Sequence, residues 1–171
     1  MIFESPRLKF FLLTEEYFND FLGMELDSEV MKFYTNRPHG TLEAAQKSFK
    51  IYQDYMAKFP HLGGFVALSK ETNEFIGLGV FIHLELNHAS NKYELGYRLP
   101  TKSWGKGYAT EIAQRLLEYG IDNLQLDEIY GTTNPAHIVS QKVLLKIGMQ
   151  FIGSSDNYGG SKVFKFQNSQ N

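Results

Sequence analysis

The chain has 171 residues, 43% of them hydrophobic and 21% charged, with 17 Lys and Arg against 19 Asp and Glu for a formal charge of −2. Such a balance excludes a disordered chain and a strongly basic nucleic-acid binder, and it suits one domain over residues 1–171 with one core. Cysteine is absent, which removes disulfides, thiolate catalysis and Cys-ligated zinc together.

The opening, "MIFESPRLKFFLL", carries Glu4 and Pro6 where a leader peptide needs basic and then apolar runs. No apolar run approaches the roughly 20 residues of a membrane helix. A cytoplasmic protein without membrane or nucleic-acid partners is expected. Leu8, Phe10 and Leu12 alternate as a first strand, and Thr14 is the expected cap of a helix bearing Tyr17, Phe18, Phe21 and Leu22. Thr41 is a better N-cap, because Leu42, Ala45, Phe49, Tyr52 and Met56 recur at helical steps up to Phe59, before Pro60. A hairpin follows, from Phe65 to Ser69 and from Phe75 to Leu84, turning at Thr72 and Asn73. Tyr93 to Leu99 is another strand. After a glycine turn, Ala109, Ile112, Ala113, Leu116, Leu117, Ile121 and Leu124 define the apolar face of a helix. Glu128 to Thr133 reads as a strand, Ile138 to Ile147 as a helix stopped by Gly148, and the remainder as a hairpin around Gly159 and Gly160. The predicted order is β-α-α-β-β-β-α-β-α-β-β, a mixed α/β layer structure.

The turn "SWGKGYATE" carries the chemistry. A helix start leaves about four N–H groups without partners and about half a positive charge, which together favour a phosphate. Gly105 and Gly107 remove two Cβ atoms from the approach, and Lys106 adds a cation. A plain strand-to-helix turn with a solvated Lys106 has the same composition. A Walker loop needs Ser or Thr after the lysine, and Gly107 stands there. A dinucleotide fingerprint would use Gly105, Gly107, Thr110 and Asp127, but the residues left after the turn are too few for the rest of a doubly wound sheet. Coenzyme A is the third reading.

With "NPAHIVSQKVLLKIGMQFIG", "SPRLKFFLLT", "DSEVMKFYTNRPHGTLEAA" and "IGLGVF" in the expected order, the chain resembles the GNAT N-acetyltransferases, in particular their RimJ/RimL-like ribosomal-protein branch. Trp104, Gly107 and Ala109 occupy marked positions of the family pattern, Trp104 in place of the superfamily's Gln or Arg. The resemblance implies a mostly antiparallel twisted sheet flanked by helices, acting on acetyl-CoA and an amine substrate without a metal, as monomer or homodimer. It implies that Tyr97, Arg98 and Leu99 offer backbone groups to pantetheine and the acetyl carbonyl. Backbone N–H groups of Gly105, Lys106, Gly107, Tyr108, Ala109 and Thr110 would then hold the pyrophosphate, and Trp104, Asn134 and His137 would also contact the cofactor.

Glu94 shares a strand face with Gly96 and Arg98 and matches an acidic position common in the branch, so it is the candidate base; a surface glutamate paired with Arg98 is the alternative. His83 and His88 are further bases or plain loop and edge residues. Leu144 occupies the position where many family members carry a tyrosine acid. Ser140, one turn earlier, matches a serine usual in the branch and is the candidate donor to the leaving sulfur, or bonds back to its own helix. Lys142 and Lys146 reach phosphates or only solvent. Phe33, Tyr34, Phe49, Tyr52 and Tyr55 read as core and cleft wall rather than a base-stacking platform. The five histidines show no i, i+4 pair for a metal. The acceptor is expected to be the α-amine of a protein N-terminus, met around residues 31–39 and 157–160, with polyamines, amino acids and antibiotics as alternatives. A non-catalytic acyl-CoA sensor and a nucleotide-dependent oxidoreductase are the competing classes.

Overall fold

The computed structural model describes residues 1–34, 39–84, 90–156 and 160–168. Its strands are β1 (Phe3–Glu4), β2 (Leu8–Leu12), β3 (Gly63–Ser69), β4 (Phe75–His83), β5 (Tyr93–Arg98), β6 (Glu128–Thr133), β7 (Gln150–Ser155) and β8 (Ser161–Gln167). Its helices are α1 (Phe18–Leu26), α2 (Ser28–Met31), α3 (Leu42–Lys58), α4 (Tyr108–Asp122) and α5 (Ile138–Lys146). The predicted order holds, with the two-residue β1 and the one-turn α2 added. Thr14 does not cap α1: a 3-10 turn, Glu15–Tyr17, intervenes, and the Thr14 side chain makes no capping bond. Thr41 does cap α3, accepting from the Ala44 N–H at 3.1 Å. Thr72 and Asn73 turn the β3–β4 hairpin, and Asn73 takes the left-handed φ of 61° that asparagine tolerates. The expected turn residue Gly159 and the candidate base His88 lie outside the described residues.

Alternation assigns the faces. Phe65, Ala67 and Phe81 point to the same core as Ile112, Ala113 and Leu116 of α4. Val66, Leu68 and Leu78 point the other way, to Phe21, Met24 and Phe49 of α1 and α3. Each such buried aliphatic or aromatic side chain contributes about 1.5–3 kcal/mol. At Gly79 a Cβ would come within 3.0–3.1 Å of Leu116 and Ile112, so this position lets α4 lie directly on β4. Phe49 and Tyr55 are buried, as expected of core aromatics.

Among the described residues eight strands run in the order β1-β2-β3-β4-β5-β6-β8-β7. All neighbours are antiparallel except β5 and β6. That parallel pair shares only one register position, Glu94 opposite Tyr130, whereas β5 matches β4 from Tyr93 to Arg98. Beyond Glu94 the two central strands therefore part. Splayed strands leave backbone groups without a ladder partner, and such groups need another occupant.

Candidate active site

A cavity of about 270 Å³ opens at this parting of the strands. Glu94, Tyr97 and Arg98 line it from β5, Asn134 and His137 from the β6–α5 connection, and Ser140 from α5. Phe33, Tyr34 and Tyr52 form its aromatic wall, as expected of cleft residues. Six predicted site residues from three chain segments thus meet in one space.

Glu94 is not a surface residue paired with Arg98. It is buried, at 7% exposure, and its carboxylate accepts from Thr132 Oγ1 at 3.1 Å across the β5–β6 boundary. Arg98 forms its ion pair with Glu25 of α1, which is fully buried, and lies over the rings of Phe21 and Tyr34. The correction follows from the sheet: Glu94 and Arg98 are four residues apart on an extended strand, beyond the reach of a direct contact.

Tyr97 reaches across the parting. Its hydroxyl donates to the Ser140 carbonyl at 3.1 Å and lies 3.1 Å from Ser140 Oγ. Burial pushes the phenol well above its ordinary range, and the bond to Ser140 partly offsets this. The hydroxyl of Ser140 is therefore engaged with Tyr97 and not bonded back to its own helix. Leu144, one turn on, is buried and packs into the space beside Gly131, where a Cβ would meet its Cδ2 at 2.9 Å. His137 stacks on Phe33, with ring centroids 4.1 Å apart and planes 13° from parallel, and burial lowers its pKa. The amide of Asn134 is turned to local work, donating to the Phe33 carbonyl at 3.4 Å and accepting from the Ala136 N–H at 2.9 Å. His83 is neither loop nor edge: it is buried on β4, with Nδ1 2.6 Å from the Tyr55 hydroxyl. That hydroxyl also accepts from the His83 N–H at 2.8 Å, so its own proton points at Nδ1.

Leu99 and Trp104–Thr110 continue from the end of β5 to the start of α4. The Trp104 indole donates to the Leu99 carbonyl at 2.9 Å, which folds the loop back on the strand and uses that carbonyl. Gly105 and Gly107 have φ of 72° and 79°, left-handed values that a side chain would strain. Gly107 is the N-cap of α4, and among the described residues no side chain caps the helix. Among the described residues no acceptor meets the N–H groups of Gly105 through Thr110. A Cβ on Gly105 would have open space around it. A loop of this shape can take a pyrophosphate, because its donors converge and its approach is clear. Lys106 turns its ammonium onto the Lys102 carbonyl at 2.9 Å, and Lys142 and Lys146 are exposed.

The family model described as an acetyltransferase (GNAT) domain matches residues 7–150. The chain belongs to the GNAT acetyltransferases. It is 35% identical to the uncharacterised N-acetyltransferase YnaD of Bacillus subtilis, over 72% of this chain and 68% of that one. The spermidine N-acetyltransferase of Vibrio cholerae, solved with CoA and spermine, superposes with a TM-score of 0.77 at 17% identity, covering 95% of this chain and 96% of that one. The ribosomal-protein-S5-alanine acetyltransferase of Vibrio fischeri superposes with a TM-score of 0.75 at 16% identity, covering 98% and 97%. At these identities the two structures establish the fold, a mixed α/β sheet flanked by helices. Family membership makes the protein an acetyl-CoA-dependent N-acetyltransferase.

In this GNAT domain the loop from Trp104 to Thr110 has a support that the sequence reading missed. Arg7, before β2, donates through Nε to Glu111 Oε2 at 2.6 Å and through its backbone N–H to Oε1 at 2.8 Å. Ser5 Oγ donates to the same Oε1 at 2.7 Å. Arg7 Nη1 also holds the Lys106 carbonyl at 3.0 Å, and the guanidinium lies over the Tyr108 ring at 4.3 Å. Burial raises the Glu111 pKa, but the bonds from Ser5 and Arg7 and the Arg7 charge outweigh it and hold the carboxyl below its usual range. The clamp joins residues 104 positions apart, so only the opposite charges of Arg7 and Glu111 hinted at it. Among the described residues no cluster of three or more metal-ligating side chains occurs, and no helix is long and apolar enough to cross a membrane.

Proposed function

We propose that this acetyltransferase acts as the RimJ/RimL-like branch does, on the α-amine of a protein or peptide N-terminus, in the cytoplasm, with residues 1–171 as one catalytic unit. The observation that carries the proposal is Glu94: it is the only carboxylate among the described residues lining the cavity at the parting of β5 and β6. Deprotonating a lysine amine of pKa near 10.4 costs about 4–5 kcal/mol at pH 7, whereas an α-amine near 7.7–8.0 costs only about 1. A carboxylate is a weak base, so it suits the amine that needs least help, directly or through water.

In this reading the loop from Trp104 to Thr110 receives the cofactor phosphates, and the β5 backbone from Tyr97 to Leu99 aligns pantetheine. The acetyl group is transferred directly to the amine in a ternary complex. The thioester supplies the activated acyl group, and the protein positions the amine and manages the protons. The aromatic wall of Phe33, Tyr34 and Tyr52 is the face the acceptor meets.

The test is a mass-spectrometric screen of peptides with free and blocked N-termini beside spermidine, free amino acids and an aminoglycoside. Acetylation of free N-termini is the expected outcome. Acetylation confined to internal lysines or to a small amine refutes the acceptor, and tight acetyl-CoA binding without turnover on any amine points to a sensor. Glu94→Gln is expected to lower kcat by about 10²–10³-fold with little change in acetyl-CoA affinity.

A further inference from the structure

We propose that Tyr97, through its phenolic hydroxyl, is the group that donates to the leaving thiolate, and that Ser140 is the positioning residue that holds it. The inference rests on the acetyl-CoA reading above and adds to it a side chain whose backbone alone was expected to contribute. Two observations and one chemical argument support it. Leu144 faces the cavity from α5 and has no proton to give. Tyr97 lines the same cavity, and its hydroxyl sits at Ser140, where β5 and β6 have already parted. A serine hydroxyl is, in addition, a far weaker acid than a phenol, so of two hydroxyls in contact the phenol is the better donor to sulfur.

The two bonds between these residues divide the protons. With the phenol donating to the Ser140 carbonyl, the Ser140 hydroxyl donates to the phenol oxygen. A hydrogen bond received at the oxygen strengthens the donor on the other side, which makes Ser140 an activator of Tyr97 as well as its anchor. Burial keeps the phenol protonated above its ordinary value of 10, so no phenolate accumulates between turnovers.

The step balances. The amine nitrogen bonds to the acetyl carbon, the carbon–sulfur bond breaks, and sulfur leaves with that bond's electron pair. As the bond breaks, the Tyr97 hydroxyl turns from the Ser140 carbonyl to the sulfur and gives it the proton, while the Ser140 hydroxyl stays on the phenol oxygen. The amine gives up one proton in the same turnover, and the phenol recovers a proton through water, so nothing is consumed.

Calorimetry with free CoA and with desulfo-CoA, which lacks the thiol, tests the assignment without turnover. At about pH 9.5, above the ~8.5 of an ordinary thiol, bound CoA presents a thiolate. Wild-type protein is expected to prefer CoA over desulfo-CoA by about 10–100-fold there, the scale of a hydrogen bond to a charged acceptor. Tyr97→Phe is expected to abolish that preference while leaving desulfo-CoA affinity unchanged, and to lower kcat without raising the KM for acetyl-CoA. Ser140→Ala, which keeps the phenol, is expected to reduce the preference only in part. A Tyr97→Phe protein that keeps the full preference overturns the inference and leaves the acetyl-CoA reading standing. If that variant does not fold, an unchanged preference in Ser140→Ala overturns it instead. A wild-type protein that binds both ligands equally also overturns it, and one that binds neither removes the cofactor reading itself.

Discussion

Replacing Gly107 by valine tests the phosphate loop where its geometry is most constrained. A non-glycine residue at φ +79° costs about 1–2 kcal/mol, and a branched side chain pushes toward the upper end. The first added atom has room: a Cβ there would lie 3.5 Å from Arg7 Nη2, an ordinary contact. The strain is small beside the roughly 5–15 kcal/mol that holds a domain together, so the variant is expected to fold with a melting point only a few degrees lower. The two γ-carbons are nevertheless expected to reach into the space in front of the loop, where a phosphate held by the N–H groups of Gly105 through Thr110 would sit. Blocking two charge-assisted hydrogen bonds of about 1.5–3 kcal/mol each removes about 3–6 kcal/mol of binding, or about 10²–10⁴ in acetyl-CoA Kd. Calorimetry on protein whose fold has been checked by circular dichroism measures it. Gly40→Ala supplies the control, because at φ +79° with open space around its Cβ it adds similar strain far from the helix end. A folded Gly107→Val protein with wild-type affinity would refute the phosphate-loop assignment.

Arg7→Ala is expected to weaken acetyl-CoA binding about 3–10-fold by releasing Glu111 and the Lys106 carbonyl, and Arg7→Lys should not rescue it, since one ammonium cannot reproduce the guanidinium's two contacts. Unchanged affinity in Arg7→Ala would show that the loop needs no clamp. For His137, burial lowers the folded-state pKa, so the unfolded chain binds the extra proton first as pH falls. The stability contributed by its neutral ring is therefore complete above the unfolded value of about 6.5 and is lost as pH falls through the folded value. Carbon-proton NMR of His137 should show a midpoint below 6.5, and His137→Phe should flatten the slope of stability against pH in that window; a midpoint at or above 6.5 contradicts it.

What the sequence disclosed was mostly local. The Thr41 cap, the Gly148 stop and the glycine turn before α4 each depend on residues within a few positions, and each is found where the pattern put it. The β3–β4 and β7–β8 pairings follow from hairpins, whereas the β5–β6 and β6–β8 neighbours have no local signal in the sequence. The cavity was half legible: alternation put Glu94 on a useful face of β5, but its partner Thr132 is 38 residues away on a parallel neighbour. The ties from Tyr97 to Ser140, from Arg7 to Glu111 and from Arg98 to Glu25 span 43, 104 and 73 residues. Periodicity carries no information about such pairs. Thr14 misled because a threonine before an apolar run looks the same whether a helix or a 3-10 turn follows.

The Glu25–Arg98 pair decides how firmly the aromatic wall of the cavity is held. Arg98 lines the cavity from β5, and Glu25 comes from α1, so the ion pair ties the helical layer to the strand that carries Glu94 and Tyr97. The guanidinium also lies 5.2 Å from the Tyr34 ring centre, which makes the aromatic wall depend on the same charge. An arginine cannot shed its proton in the interior, so Glu25→Gln leaves an uncompensated buried charge. Breaking such a pair costs about 3–5 kcal/mol, a large share of a typical domain's stability, and corresponds to a fall in Tm of about 6–20 °C. Replacing both partners, as in Glu25→Leu with Arg98→Met, removes the charge and its counterion together and is expected to cost far less, or to stabilise. Thermal melts of the single and double variants separate the terms. If Glu25→Gln melts within about 2 °C of wild type, water or another group already screens Arg98 and the pair is not what joins α1 to β5. If it melts far lower while the double variant recovers, the single variant should also lose turnover before it loses acetyl-CoA binding, because the proposed function puts the acceptor against Tyr34 and the cofactor phosphates at the loop from Gly105 to Thr110, which the pair does not touch.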